Sequence, residues 1–326
     1  LPGRQLRQVG ARLAGSACQV VVISQPYAYQ VFERLPARYP RTLFVNRTHG
    51  WEARLYEAQR NFGWDGQASR RLVARVSAAL TRRACRRTAR AAHGMVTGSQ
   101  RCGAWIRQAY HLPPERVAAI PYGLDPHVGP DPGGAASMAV RPRAPGPLRL
   151  LYVGNYLPLK GSTVLESILP PLGGRFPGAR LTLVVDPGAR DRVASRYQPS
   201  WGENLAVQAW LPRHQLARVY AEHDVLLYPS LFEGFGKVWL EAMAQGLCVV
   251  GFAEGGLPDV ARHGEDALYC PTGDLDGLTT LLERALSSPE QARAIGGRAA
   301  LTARQFTWDR NAAALVAFCQ GLGGRT

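Results

Sequence analysis

Strand-length apolar runs alternate with stretches of helical periodicity over the second half of the chain, and this alternation restricts the fold more than any other feature. Strands are expected at Leu148 to Val153, Arg180 to Val185, Leu205 to Gln208, Val225 to Tyr228 and Cys248 to Phe252. Helical patterns fall near Gly161 to Leu172, Leu216 to Glu222, Val238 to Gln245 and Leu275 to Leu286. Apolar strands separated by helices belong to parallel sheets covered on both faces, so this half reads as a doubly wound α/β domain. The first part carries strand candidates at Val20 to Ser24, Thr42 to Asn46 and Gly94 to Thr97, with helical patterns near Ala28 to Arg38 and from Arg70 to Arg90. From His127 to Pro147 the chain is rich in Gly, Pro and Ala with little periodicity, as in a linker. The expected division is a domain over 1–128, a linker over 129–147, a second domain over 148–306 and a final helical segment over 307–326. A length of 326 residues suits two domains, each able to bury a core.

Open parallel sheets bind ligands beyond the carboxyl ends of their strands. The stretch Tyr228 to Asp259, YPSLFEGFGKVWLEAMAQGLCVVGFAEGGLPD, begins at such an end. Glu233 lies in a loop ahead of Gly234-Phe235-Gly236, and Glu241 follows with seven residues between, about one and a half turns into the next helix. Between the two carboxylates, the backbone N–H groups of Phe235, Gly236 and Lys237 are the donors of a helix start, and the glycines let a ligand approach the backbone. Such an end is suited to phosphate. An anion cradle flanked by two carboxylates fits a nucleotide diphosphate with hydroxyl-rich groups at both ends, which is the shape of a sugar nucleotide.

Pro229-Ser230, Glu233-Gly234-Phe235-Gly236, Leu240-Glu241-Ala242 and Gly255-Gly256 stand in an order that resembles family 4 of the retaining glycosyltransferases, the glycosyl transferases group 1. The likeness extends to RLLYVGNYLPLKG (Arg149 to Gly161), IPYGLD (Ile120 to Asp125) and FVNRTHG (Phe44 to Gly50). It implies a GT-B fold, with two Rossmann-like domains facing a cleft: an acceptor-side first domain and a nucleotide-sugar-binding second one, the final helix crossing back to the first. Family members place a strand, a glycine-rich turn and a helix ahead of the strand seen here at Val20. This chain opens with LPGRQLRQVGARLAG instead, so the first unit is expected to be absent or the first domain shortened.

The resemblance also implies residue roles. Glu241 would accept hydrogen bonds from the ribose hydroxyls, and Glu233 would meet the hydroxyls of the transferred sugar. Gly154 ends a strand where backbone nears the ligand, and Asn155 stands where the family usually has a diphosphate-binding arginine. That leaves Lys160 as the expected diphosphate cation. Lys237 occupies a place where the family is commonly apolar; its backbone N–H is credited and its side chain is expected toward solvent. Trp210 and Leu211 correspond to the loop contacting the base, although a Trp there fits core packing as well. His49, beside Gly50 at a strand end, could donate to the sugar or to charge on the leaving phosphate, or serve as a polar cap. The implied reaction is hexosyl transfer from a UDP- or GDP-linked donor to a hydroxyl acceptor (glycan, lipid-linked sugar or small molecule), with retention. Catalysis would fall to Glu233, His49 and Lys160.

The formal charge is +15, and all the lysine is Lys160 and Lys237, so the excess is arginine. Such a field favours polyanionic partners. In RRLVARVSAALTRRACRRTAR (Arg70 to Arg90), Leu72, Val73, Val76, Ala79 and Leu80 are expected on one helical face with arginines on the other. An ordinary solvated face and peripheral contact with an anionic membrane both fit. Nucleic acid fits less well, since no helix-turn-helix, zinc-finger or RNP pattern accompanies the charge. Cys18, Cys85, Cys102, Cys248, Cys270 and Cys319 show no paired spacing, so neither zinc nor a disulfide framework is expected, and no metal or other cofactor is called for. No apolar run approaches a membrane span and no secretory pattern opens the chain, so a cytoplasmic protein, peripheral at the membrane's inner face at most, is expected. The opening segment and Asn155 also fit a second reading, an inactive remnant of the fold that binds a sugar nucleotide or a partner.

Overall fold

The computed structural model describes residues 2–14, 18–61, 68–125 and 146–323. Contacts divide the chain into two compact units, Leu1–Tyr122 with Asp309–Thr326, and Gly123–Trp308. The linker expected at 129–147 lies, apart from Gly146 and Pro147, outside the described residues.

The first unit runs α1 (Pro2–Leu13), β1 (Val20–Ile23), α2 (Tyr29–Arg34), β2 (Leu43–Arg47), α3 (Glu52–Asn61), α4 (Ala68–Ala91), β3 (Gly94–Thr97), α5 (Gln100–Tyr110) and β4 (Val117–Ala119). Its strands form one parallel sheet in the order β1-β2-β3-β4. One face is covered by a core in which Phe32, Phe44, Trp51, Met95 and Ile106 are almost wholly buried. Each such side chain contributes roughly 1.5–3 kcal/mol by leaving water. On the other face, Val45, Val96 and Ile120 pack with Cys319 and Leu322 of the last helix, Trp308–Gly323. Gly94 leaves room for them: a Cβ there would lie 2.6 Å from Leu322 and 2.9 Å from Phe318, so both side-chain ends would have to shift.

On α4 the buried positions are Ala78, Thr81, Cys85, Thr88 and Ala89. Val76 and Leu80, expected on the inward face, are instead 53% and 64% exposed, and Ala79 is exposed with them. The small residues face inward because α4 packs closely against α2, with Thr88 Oγ1 donating to the Pro26 carbonyl at 2.7 Å. The side chains of Leu72 and Val73 lie outside the described residues.

The second unit continues with β5 (Arg149–Val153), α6 (Ser162–Arg175), β6 (Arg180–Val185), α7 (Arg190–Trp201), β7 (Leu205–Ala209), α8 (Arg213–Ala221), β8 (Val225–Tyr228), α9 (Lys237–Ala244) and β9 (Cys248–Phe252). Then come α10 (Leu257–Val260), β10 (Leu268–Cys270), α11 (Leu275–Ser287) and α12 (Pro289–Ala303), before the last helix, α13. Six parallel strands lie in the order β10-β9-β8-β5-β6-β7. The winding direction reverses between β5 and β8, and a doubly wound sheet opens its ligand crevice at such a reversal. β8 and β9 are buried at every position, which is why they read as unbroken apolar runs. Each unit is by itself a parallel α/β sheet of the Rossmann-like kind that the resemblance implied.

Several elements carry no advance signal. β10 is only Leu268–Cys270, too short for a pattern, and α7 holds Pro199 within its last turns. α12 is apolar largely through alanine, and Gly296 lets it approach the turn before β9, where a Cβ would lie 2.2 Å from the Gly246 carbonyl oxygen.

Candidate functional site

The loops after β5 and β8 meet at the reversal of the sheet. Tyr152, at the end of β5, is buried and donates its hydroxyl to the Asn155 carbonyl at 2.9 Å and toward that of Lys160 at 3.3 Å. It thereby shapes the loop that holds Gly154, Asn155 and Lys160. Gly161 follows with φ of +84°, and a Cβ on it would meet the Pro229 carbonyl oxygen at 2.2 Å. Only glycine accepts both the left-handed backbone and the close approach. The two loops are joined further by Leu231 N–H to the Leu159 carbonyl at 2.9 Å.

This docking brings Lys160 to Glu233. Lys160 Nζ lies 2.6 Å from Glu233 Oε1, and Ser230 Oγ donates to the same oxygen at 3.2 Å. With Tyr152, Gly154, Tyr228, Pro229 and Val238 they line a small cavity of about 50 Å³. Behind it Glu254, buried, accepts from the Glu233 N–H at 3.4 Å and from Thr272 Oγ1 at 3.2 Å, which orients the Glu233 loop.

The start of α9 forms the other wall. Gly236 caps it with φ of +85°, and a Cβ there would lie 2.4 Å from the Tyr228 hydroxyl. No side chain caps this helix, so its first-turn amides remain as donors at an electropositive end. Phe235 is buried; its carbonyl accepts from Gly256 N–H and Trp239 Nε1, both at 2.8 Å, and its ring fills the space that Gly255-Gly256 leaves. Gly234, ahead of it, is buried as well.

Glu241, a turn further along α9, is half-buried, and Tyr220 donates to its Oε2 at 3.2 Å. Burial raises its carboxyl above the ordinary carboxylate value, opposed by the charge of Lys237. The Lys237 side chain does not point to solvent as expected. Its ammonium donates to Asp125 Oδ2 at 2.8 Å and lies 5.7 Å from the Trp308 ring centre. Arg213 bonds the same Asp125 oxygen, and Trp308 Nε1 reaches the other at 3.4 Å. Asp125 is placed there because Leu124 N–H bonds the Phe306 carbonyl and Gly123 sits where a Cβ would lie 2.3 Å from the Trp308 nitrogen.

Trp210 is 58% exposed after β7, an edge strand, and Leu211 is half-buried beside it. Neither makes a hydrogen bond among the described residues, so the structure does not join them to the Lys160–Glu233 group. His49 belongs to the first unit, at the end of β2, where its Nδ1 lies 2.6 Å from the Tyr122 hydroxyl. Its pKa is held below the usual histidine value by burial and by the charge of Arg47.

Sequence reading missed Asp125, Arg213, Tyr220 and Tyr122. Asp125 and Tyr122 stand in the quoted IPYGLD segment, whose polar residues were the available signal. Arg213 and Tyr220 look like ordinary residues of a surface helix. Among the described residues, no group of three or more His, Cys, Asp and Glu side chains is placed to hold a metal ion.

Residues 147–288 match the family model described as Glycosyl transferases group 1. Among curated proteins, the chain is 34% identical over 219 residues to the D-inositol 3-phosphate glycosyltransferase of Actinosynnema mirum, covering 64% of this chain and 52% of that protein. It is 27% identical over 228 residues to the enzyme of the same name from Segniliparus rotundus, covering 68% and 51%. The chain thus spans about half the length of the curated relatives it matches. Among solved structures, sucrose-phosphate synthase from Thermosynechococcus elongatus superposes with a TM-score of 0.75 at 21% identity, over 99% of this chain and 78% of that one. Anabaena HepE in complex with UDP-glucose gives 0.68 at 17%, over 96% and 82%. At these identities the structures show the fold, and the residues that match the family model fall within the second unit.

Proposed function

We propose that the chain is a retaining hexosyltransferase of family 4 that takes its sugar from a UDP- or GDP-linked donor and gives it to a hydroxyl acceptor. The observation that carries this reading is the Lys160–Glu233 pair beside the uncapped, glycine-led start of α9, where the second sheet reverses its winding. In this reading Lys160 and the first-turn amides of α9 take the diphosphate, with Gly154 and Asn155 allowing backbone approach. Glu241 takes the ribose hydroxyls, and Glu233 those of the transferred sugar. The acceptor attacks from the face the diphosphate leaves, while Lys160 and the helix start stabilise the departing charge; electrostatic stabilisation of this kind supplies most of the rate. The scheme invokes neither a nucleophilic carboxylate nor a metal. His49 serves as a polar contact of the transferred sugar, and the Trp210-Leu211 loop as that of the base.

No helix among the described residues is long and apolar enough to cross a membrane. The exposed arginines of α4, with Val76 and Leu80 among them, support peripheral contact with an anionic membrane at its cytoplasmic face. A lipid-linked acceptor would suit that placement.

Calorimetric titration with UDP-, GDP- and ADP-sugars, run beside Glu241→Ala and followed by assay of released nucleoside diphosphate, tests the reading. Saturable binding to one nucleotide, lost in the variant and accompanied by turnover, is the expected result. Binding without turnover, with sugar and lipid acceptors present, would replace it by the inactive remnant, and absence of binding would remove the donor site.

A further inference from the structure

In the second unit, Asp186 follows β6 and stands at the N-cap position of a short helical turn, Pro187–Ala189, yet its side chain makes no capping hydrogen bond there. An aspartate at such a position ordinarily accepts from an N–H of its own helix. Here the carboxylate reaches sideways instead, to the loop that leaves the neighbouring strand β5, and its Oδ1 accepts from the Tyr156 N–H at 2.7 Å. The carbonyl of the same peptide, that of Asn155, is held from the opposite edge. It accepts from the Tyr152 hydroxyl at 2.9 Å and from the Leu157 N–H at 2.8 Å. Burial raises the Tyr152 pKa above the usual tyrosine value, so the phenol retains the proton it donates. A trans peptide is planar, with its C=O and N–H pointing opposite ways. A plane bonded along both edges cannot turn over without losing all three contacts, and turning would also bring a carbonyl oxygen against the Asp186 carboxylate.

We infer that Asp186 is a positioning residue of the donor loop, clamping the Asn155–Tyr156 peptide against Tyr152 so that the loop presents Gly154 and Lys160 to a diphosphate in one backbone shape. The inference rests on the proposed donor site and extends it to a residue that the sequence did not single out. The chain is fixed on either side of the clamped peptide. Before it, the Gly154 N–H continues the ladder to the Val184 carbonyl at 3.0 Å. After it, the Tyr156 ring is buried, its hydroxyl 2.7 Å from that of Tyr197 on α7 and 3.2 Å from Glu166 Oε1 on α6. Between these anchors Gly154, lacking a Cβ, leaves the backbone the freedom to reverse. Asp186 removes that freedom with a charge-assisted bond, roughly twice as strong as one between neutral groups. The two donors on the Asn155 oxygen occupy its acceptor positions, so an arriving anion meets an engaged carbonyl instead of a bare one.

Amide exchange at Tyr156, followed by ¹H–¹⁵N spectroscopy on the full chain without ligand, tests the clamp on its own. The Tyr156 N–H is expected to be protected in the parent chain and in Asp186→Asn, whose amide oxygen still accepts, and to exchange quickly in Asp186→Ala. Calorimetric titration with UDP, UMP, GDP and GMP tests the positioning. Asp186→Ala is expected to weaken the diphosphate that the parent binds by roughly tenfold, the worth of one hydrogen bond to a charged group, and to leave the matching monophosphate within about twofold. Asp186→Asn should stay near the parent for both. Tyr152→Phe keeps the buried ring and releases the opposite edge of the peptide, so it carries the same expectation if Asp186→Ala does not fold. An equal loss in Asp186→Asn and Asp186→Ala would make the charge the agent and overturn the clamp. So would an unprotected Tyr156 N–H in the parent, or a diphosphate affinity unchanged in both Asp186→Ala and Tyr152→Phe. A parent chain that binds neither diphosphate would overturn the donor site, and exchange at Tyr156 would then still decide whether Asp186 holds the peptide.

Discussion

Glu241 combines a half-buried carboxylate with a nearby cation, and the balance between them fixes when it ionises. Burial raises its pKa above the ordinary value of 4.5, and Lys237 works against that rise. For an acid raised in the fold, the stability it contributes is complete below the unfolded-chain value and is lost as pH climbs through the raised folded value. Ligand binding runs the other way, because the ionised form is the better acceptor for ribose hydroxyls. Donor affinity is therefore expected to fall on the acid side with a midpoint above the ordinary carboxylate range. Lys237→Met should move that midpoint upward, since it removes the opposing charge. Calorimetric titrations over a pH series check this, and a midpoint unmoved or lowered in the variant would refute it. The spacing of Glu233 and Glu241 was visible in the sequence, but the cation beside Glu241 was not. Lys237 reads as a surface lysine until Asp125, 112 positions earlier, is brought to its ammonium.

Among the elements, α4 shows how periodicity can mislead. Its apolar residues Val76 and Leu80 suggested a buried stripe, yet the packed face consists of Ala78, Thr81, Cys85, Thr88 and Ala89. Small side chains allow close packing on α2, and the larger apolar ones remain outside among Arg75, Arg82, Arg83, Arg86 and Arg90. An exposed surface of this composition is expected to bind vesicles containing anionic phospholipid and to ignore neutral ones. Glutamate at positions 82, 83 and 86 together should abolish co-sedimentation, as should raised salt. Retained binding in that variant would exclude α4 as the contact. α9 illustrates the opposite case. Its glycine-led start and apolar face are local properties, and the helix lies within a residue of the range its periodicity suggests.

In the whole molecule, the last helix is distant in sequence from the sheet it covers. Leu322 and Phe318 fill the space above Gly94 at the start of β3, and Leu322 is nearly buried. Leu322→Ala is expected to cost about 2–5 kcal/mol, the range for truncating a packed leucine. Hydrogen exchange should quicken in β2 and β3 while β5, β6 and β8 keep their protection. A loss of protection confined to β5, β6 and β8 would contradict the assignment of α13 to the first unit.

The doubly wound class, the central strands, the glycine-led helix start and the two glutamates were determined by the sequence alone. They depend on alternation, backbone freedom and short spacings, which a linear chain displays. The tertiary structure decided which groups meet: Lys160 with Glu233, Asp125 with Lys237 and Arg213, and Tyr122 with His49. Each pair joins segments separated by tens of residues, and whether two such side chains come within 3 Å depends on how the loops dock. Gly161 could be read as a turn, but its need to clear the Pro229 carbonyl exists only once β5 and β8 lie side by side.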